Sequence, residues 1–287
     1  MAPFLLDLAR FGLMTDLALL MGLPLFWWSM GMAGRGFVLA ALALGGIALS
    51  ALWLLASTAM MTGTPLLPPD WASMQILLTM TPIGSVLAVR ILALVIVLAA
   101  LPLPGSHRVA LIPAAIAAAT LAWTGHAGAT EEMAGTIHRA ADVAHIWAAA
   151  GWIGALAALC YAVMARNPDV PRVTHMLARF ATFGTIFVAT LIVSGLVNGA
   201  MIVGWTDLPA LTGSRYGWLL AAKLALFGVM LALAAVNRWR LTPALERTKG
   251  NDPTAIAHLR LSLAVETAAA LAILGLVSVI GTLDPLT

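Results

Sequence analysis

The stretch GHAGATEEMAGTIHRAADVAHIWAAAGWIGAL, residues 125–156, decides how the chain reads. It holds three of the six histidines, His126, His138 and His145, together with Glu131, Glu132 and Asp142. His138, Asp142 and His145 are spaced i, i+4, i+7, so a helix carries them on one face. The second half of the stretch is apolar enough to enter a membrane. Ionisable side chains inside a membrane helix are costly and are functional candidates by default. Clustered imidazoles point to a transition metal or a haem.

Outward from that stretch, the composition points the same way. The chain has 287 residues, 62% of them hydrophobic and 9% charged, and a mean hydropathy of +0.99. Soluble domains carry about 25% charged residues, so the fold class is an all-α polytopic membrane protein. The net charge of +3 belongs to loops facing one side rather than to a nucleic-acid surface. A lone cysteine, Cys160, excludes an intramolecular disulfide and a cysteine-rich metal cage. The opening MAPFLLDLARFG lacks a basic region and a small-residue cleavage motif, so no removable signal peptide is expected.

Eight apolar segments are long enough to cross a bilayer, which takes about 20 residues. They fall near 11–32, 37–61, 83–101, 109–123, 140–164, 180–203, 216–239 and 261–283. Ten of the fifteen basic residues lie in or beside alternate connections: Arg35, Arg108, Arg166, Arg172, Arg179, Arg238, Arg240, Arg247, Lys249 and Arg260. Three, Arg10, Arg139 and Arg215, lie on the other side, and Arg90 and Lys223 lie inside spans. By the positive-inside rule the larger group is cytoplasmic. Both termini and the 126–138 connection then face the periplasm, where Trp71, Trp123, Trp205 and Trp218 form an aromatic belt. Residues 71–80 read as a short interfacial helix.

The halves resemble each other. TPIGSVLAVRILAL (81–94) aligns with SRYGWLLAAKLALF (214–227), placing Gly84 on Gly217 and Arg90 on Lys223. Asp16 parallels Asp142. The expected organisation is two parallel four-helix repeats, 1–125 and 126–287, the second carrying the histidines. Each repeat has one candidate buried charge pair, Asp16 with Arg90 and Asp142 with Lys223, and the second pair competes with an orienting role for Asp142 toward an imidazole.

The candidate metal ligands are His126 and His145 as the core, with His138 or a methionine completing the set. Met60, Met61, Asp142 and Glu132 are possible supporting residues. Against this stand ordinary roles: an interfacial His138, a loop His126, solvated acids, and methionines that only pack. His107, His175 and His258 read as loop residues at the other side. Asn198, Thr190 and Ser194 either line a polar path or join helices. No P-loop, dinucleotide fingerprint, zincin motif or nucleophile set is present, so no enzyme activity is expected.

Several blocks resemble the CopD family of bacterial inner-membrane copper resistance proteins. They are TGHA (124–127), DVAHIWAAAGWIGAL (142–156), ARFATFG with SGLVNG (178–184 and 194–199), and YGWLLAAKLAL with AAVNRWRL (216–226 and 234–241). The resemblance covers about two-thirds of the chain, mainly spans 3 to 8. It implies eight spans, copper handling and a periplasmic CopC-type copper chaperone as partner. With the residues, it supports a copper transporter of the inner membrane, Cu(I) being favoured by imidazole and thioether donors. Two alternatives are a b-type haem redox protein, with His126 and His145 as axial ligands, and a copper sensor or chaperone-docking protein without transport.

Overall fold

The computed structural model describes residues 2–130, 132–204, 208–247 and 253–284, and the described residues contain helices and no strands. In chain order the helices are α1 (Ala2–Ser29), α2 (Gly36–Thr62), α3 (Trp71–Met80), α4 (Pro82–Ala100), α5 (Ser106–Val109) and α6 (Leu111–Ala119). They continue with α7 (His126–Ala129), α8 (Glu132–Val163), α9 (Val170–Ile202), α10 (Arg215–Val236), α11 (Thr242–Arg247) and α12 (Pro253–Ile280). A 3-10 turn, Thr120–Trp123, extends α6, another, Leu208–Gly213, precedes α10, and a π turn, Asn237–Leu241, joins α10 to α11.

Among the described residues seven helical segments are long and apolar enough to cross a membrane: α2, α4, Ser106–Trp123, Met133–Val163, α9, Arg215–Arg247 and α12. The expected eighth, α1, carries Asp7, Arg10 and Asp16 and lies inside the bundle against α2, α6, α8 and α12. Its crossing with α8 brings the two backbones into contact. A Cβ built on Gly22 would sit 1.9 Å from the Ala150 carbonyl oxygen, and one on Gly154 would sit 2.1 Å from the Gly22 carbonyl carbon. Only glycine allows backbones to approach so far. Because α1 lies in the first half of the chain and α8 in the second, one apolar core runs through both.

Helix starts are set by caps rather than by hydropathy. Asp70 caps α3, accepting from the Ser73 amide at 3.1 Å and the Ser73 hydroxyl at 2.8 Å. Asp169 caps α9, accepting from the Arg172 amide at 3.1 Å, with Pro171 in the first turn. The helices α8, α9 and α12 begin two to three turns before the apolar spans expected at 140, 180 and 261. Hydropathy reports only the part in lipid, whereas a helix continues through polar residues until a cap stops it. The fourth span, short in the sequence, is built from α5, α6 and the 3-10 turn.

The segments 81–94 and 214–227 start alike. Thr81 and Ser214 each cap a helix with a hydroxyl that accepts a backbone amide, at 3.2 Å from Ile83 and 3.0 Å from Gly217. Gly84 and Gly217 each rest on a carbonyl six residues upstream: an added Cβ would lie 1.8 Å from the Leu78 oxygen and 1.9 Å from the Leu211 oxygen.

One end of the bundle is tied by Arg10. Its guanidinium, 7% exposed, donates to the Ser278 carbonyl and the Thr124 carbonyl, both at 3.1 Å. The start of α1, the end of the 3-10 turn after α6 and the end of α12 therefore meet there. At the opposite end, Arg35 lies 4.4 Å over the Tyr161 ring and Arg260 donates to the Val163 and Ala165 carbonyls. His107, read from sequence as a loop residue, is buried there beneath Gly34. Lys249 and Trp205 lie outside the described residues.

Candidate functional site

The helix α8 starts at Glu132, so His138 is not at a loop boundary but two turns inside a helix, and it is 1% exposed. Its Nδ1 meets the Thr130 hydroxyl at 2.8 Å. Thr130 in turn lies on the carbonyl of His126, and Arg139 donates to the Thr130 carbonyl at 3.1 Å. These bonds fold α7 back onto the first turns of α8. They bring His126 within electrostatic reach of both His138 and Asp142. The His126 ring stands edge-on to Tyr216, centroids 6.1 Å apart, with Nε2 3.3 Å from the Ile280 carbonyl oxygen.

One turn deeper, Asp142 accepts from Asn198 Nδ2 at 3.0 Å. Another turn on, His145 Nδ1 meets the Ser194 hydroxyl at 2.9 Å, and Ser194 donates to the Thr190 carbonyl at 2.5 Å. Two of the three polar residues on this stretch of α8, Asp142 and His145, thus meet polar residues of α9, whereas His138 meets Thr130 ahead of its own helix. Asn198 and Ser194 join α9 to α8, whereas Thr190 takes part only through its backbone carbonyl, within α9.

Below these rungs opens a cavity of about 510 Å³ between α8, α9, α10 and α12. Apolar side chains line nearly all of it, Trp152, Phe227 and Leu191 among them, and its two ionisable members are His145 and Lys223. Asp142 and Lys223 act on each other electrostatically, yet no carboxylate oxygen comes within the 4.0 Å of an ion pair. The expected contact pair is replaced by the amide of Asn198, which occupies one carboxylate oxygen.

The other expected pair is not formed either. Asp16 points at the backbone of α2, where a Cβ on Gly45 or Gly46 would lie 2.9 Å from its oxygens. Arg90 points away, donating from Nε to Thr120 Oγ1 at 2.7 Å, with its guanidinium 5.8 Å from the Trp53 ring centroid. Each of the two is taken up by a different neighbour, Asp16 by the glycines of α2 and Arg90 by Thr120 and Trp53.

His126, His138 and His145 are not gathered into one ligand set. Among the described residues no three His, Cys, Asp or Glu side chains are close enough together to hold a metal ion. His126 and His138 form an upper pair with Asp142 below them, and His145 belongs to the cavity. Met60 and Met61 are exposed on the last turn of α2. Glu132 opens α8, and Glu131 lies outside the described residues. Two contributors were not singled out from sequence, Thr130 and Tyr216. Thr130 lies in the extended link between α7 and α8, so helical spacing from His138 does not flag it.

Two family models match the chain: Copper resistance protein D over residues 174–280, and the Copper resistance protein D-like N-terminal domain over residues 1–136. Copper resistance protein D of Pseudomonas syringae pv. tomato is 36% identical over 301 residues, covering 96% of this chain and 95% of that protein. Copper transport protein CutJ of Bacillus subtilis (strain 168) is 34% identical over 151 residues, which is 52% of this chain and 27% of CutJ. Inner membrane protein YebZ of Escherichia coli (strain K12) is 28% identical over 166 residues, 58% of this chain and 55% of YebZ. No solved structure matches the chain. With a relative of this similarity aligned along almost its whole length, the chain belongs to the copper resistance protein D family.

Proposed function

We propose that the protein takes copper at the end of the bundle where α1, α8 and α12 meet and passes it along α8 into the membrane. The observation that carries this reading is the ladder on α8: His138, Asp142 and His145 in successive turns, His126 folded onto the first rung, and the last rung opening into the cavity. Two imidazoles are borderline donors, suited to copper, and an adjacent carboxylate attracts the cation. Cu(I) accepts two ligands, so His126 and His138 suffice to capture it without a third. His145 is the next ligand along the path, and Met60 and Met61 are thioethers for delivery from outside. A transport role also agrees with the printed name of CutJ, a copper transport protein.

In this reading the protein lies in the bacterial inner membrane, with α1 as the eighth crossing helix. Supporting an even number of crossings, Asp7 and Arg10 meet Thr282 and Ser278 at one end. The sparsely basic end, with both termini, is periplasmic, and a CopC-type chaperone is the partner that presents copper there. The halves 1–125 and 126–287 are parallel repeats, an assignment favoured by the matched glycines, Gly84 and Gly217.

Cu(I) titration against a chromogenic chelator tests the site. His126→Ala combined with His138→Ala should abolish high-affinity binding by the folded protein. His145→Ala should keep capture and stop copper entering proteoliposomes. Full binding by the double variant would overturn the assignment.

A further inference from the structure

The copper reading leaves unused a second group of buried polar residues, at the far end of the same four helices. Glu266 of α12 is 2% exposed and Asn237, the first residue of the π turn, is 6% exposed. Glu266 lies 14 residues from Ile280, about 21 Å along the helix at 1.5 Å per residue, well inside a span. Asn237 Nδ2 and the Ser262 hydroxyl both donate to its Oε1. No cation lies within 4.0 Å of the carboxyl among the described residues.

The π turn produces this arrangement. Its widened register puts the Thr242 hydroxyl on the Asn237 carbonyl at 2.8 Å and turns the Asn237 side chain into the bundle. Such single π turns are frequent at functional sites. Asn237 Oδ1 is buried without a hydrogen bond, an acceptor awaiting a donor. Glu266 and Asn237 line a cavity of about 270 Å³ whose outer wall includes the exposed Arg238 and Trp239. Trp152 lines both this cavity and the larger one holding His145. It stands edge-on to Phe227 of the larger cavity, centroids 6.3 Å apart.

We propose that Glu266 is a proton-binding site, loaded and unloaded through the smaller cavity and held in register by Asn237. A carboxylate at this depth without a cation is costly, whereas a carboxylic acid with two donors on one oxygen is not. Those donors fill Oε1, so the proton sits on Oε2. It arrives from hydronium in the cavity, leaving water, and returns by the reverse step. An all-oxygen donor set of carboxyl, amide and hydroxyl suits a proton and not Cu(I). The other ionisable groups facing Glu266 are Cys160 on α8 and Arg238 on the π turn; α9 presents none to the cavity.

The test needs no copper. Infrared difference spectra of the full chain in nanodiscs, recorded as bulk pH is stepped, should show a protonated-carboxyl stretch that vanishes in Glu266→Gln and shifts on exchange into heavy water. Asn237→Ala should move its midpoint while leaving its amplitude. A band that survives Glu266→Gln, or one insensitive to bulk pH, overturns the assignment. Copper uptake by proteoliposomes reports separately: failure there with the carboxyl band intact removes the copper path and leaves the proton site.

Discussion

Arg90 and Lys223 stand 133 positions apart at matched places in two similar segments, and their surroundings differ completely. Arg90 is 1% exposed, hydrogen-bonded to Thr120 and packed beside Trp53. Lys223 stands at the wall of the large cavity, near Asp142 and His145. Asp16 and Asp142 differ in the same way: one presses on the glycines of α2, the other is a rung of the polar ladder. One half of the molecule is closed around its charges and the other is opened around them. A shared sequence pattern therefore gives two cations matched places along their helices but not matched surroundings.

The comparison breaks most completely where the halves touch. Gly22→Leu would drive a side chain into the Ala150 carbonyl. Overpacking costs about 1–3 kcal/mol where side chains can yield, and backbone cannot, so loss of folded protein on fluorescence-detected size exclusion is expected. Gly228→Ala, with nothing within 4 Å of the new carbon, should leave the profile unchanged. Next come the two cations. Arg90→Ala leaves a cavity in a closed core and should cost about 2–4 kcal/mol in thermal unfolding. Lys223→Ala should cost less than about 1 kcal/mol, since cavity already surrounds it, and should alter copper uptake. Equal losses for both would dissolve the distinction.

The acids sharpen it further. Asp142→Asn should weaken Cu(I) binding about tenfold, in the range for removing a group beside a ligand. Asp16→Asn should leave affinity unchanged. The smallest effect concerns α3. The Ser73 amide and hydroxyl hold the Asp70 carboxyl below the usual aspartate range. A depressed folded value means the cap contributes above the unfolded value and fades as pH falls through the folded one. Asp70→Ala should therefore lower the melting temperature slightly at neutral pH and make no difference in strong acid.

The helices and the membrane class were legible because lipid demands long apolar runs. The bounds of α3 were legible too, since Asp70 and a Pro-rich lead mark its start. The start of α8 was not, because Glu132 to His138 is polar and looks like loop until Thr130 and Arg139 are seen holding it. The candidate face on α8 followed from spacing alone. The failure of both charge pairs to close could not, since it depends on what α2, α6 and α9 offer each residue. Nor could the role of Arg10, a boundary cation in sequence and a buried staple in the fold.

That staple has a consequence for biosynthesis. The chain emerges from the ribosome N-terminus first, and the carbonyls that Arg10 needs lie 114 and 268 positions later. Until α12 is threaded, the guanidinium of the first helix lacks its acceptor at Ser278. The end of the bundle that gathers His126, Tyr216 and Ile280 is therefore the last to close, after translation of nearly the whole chain.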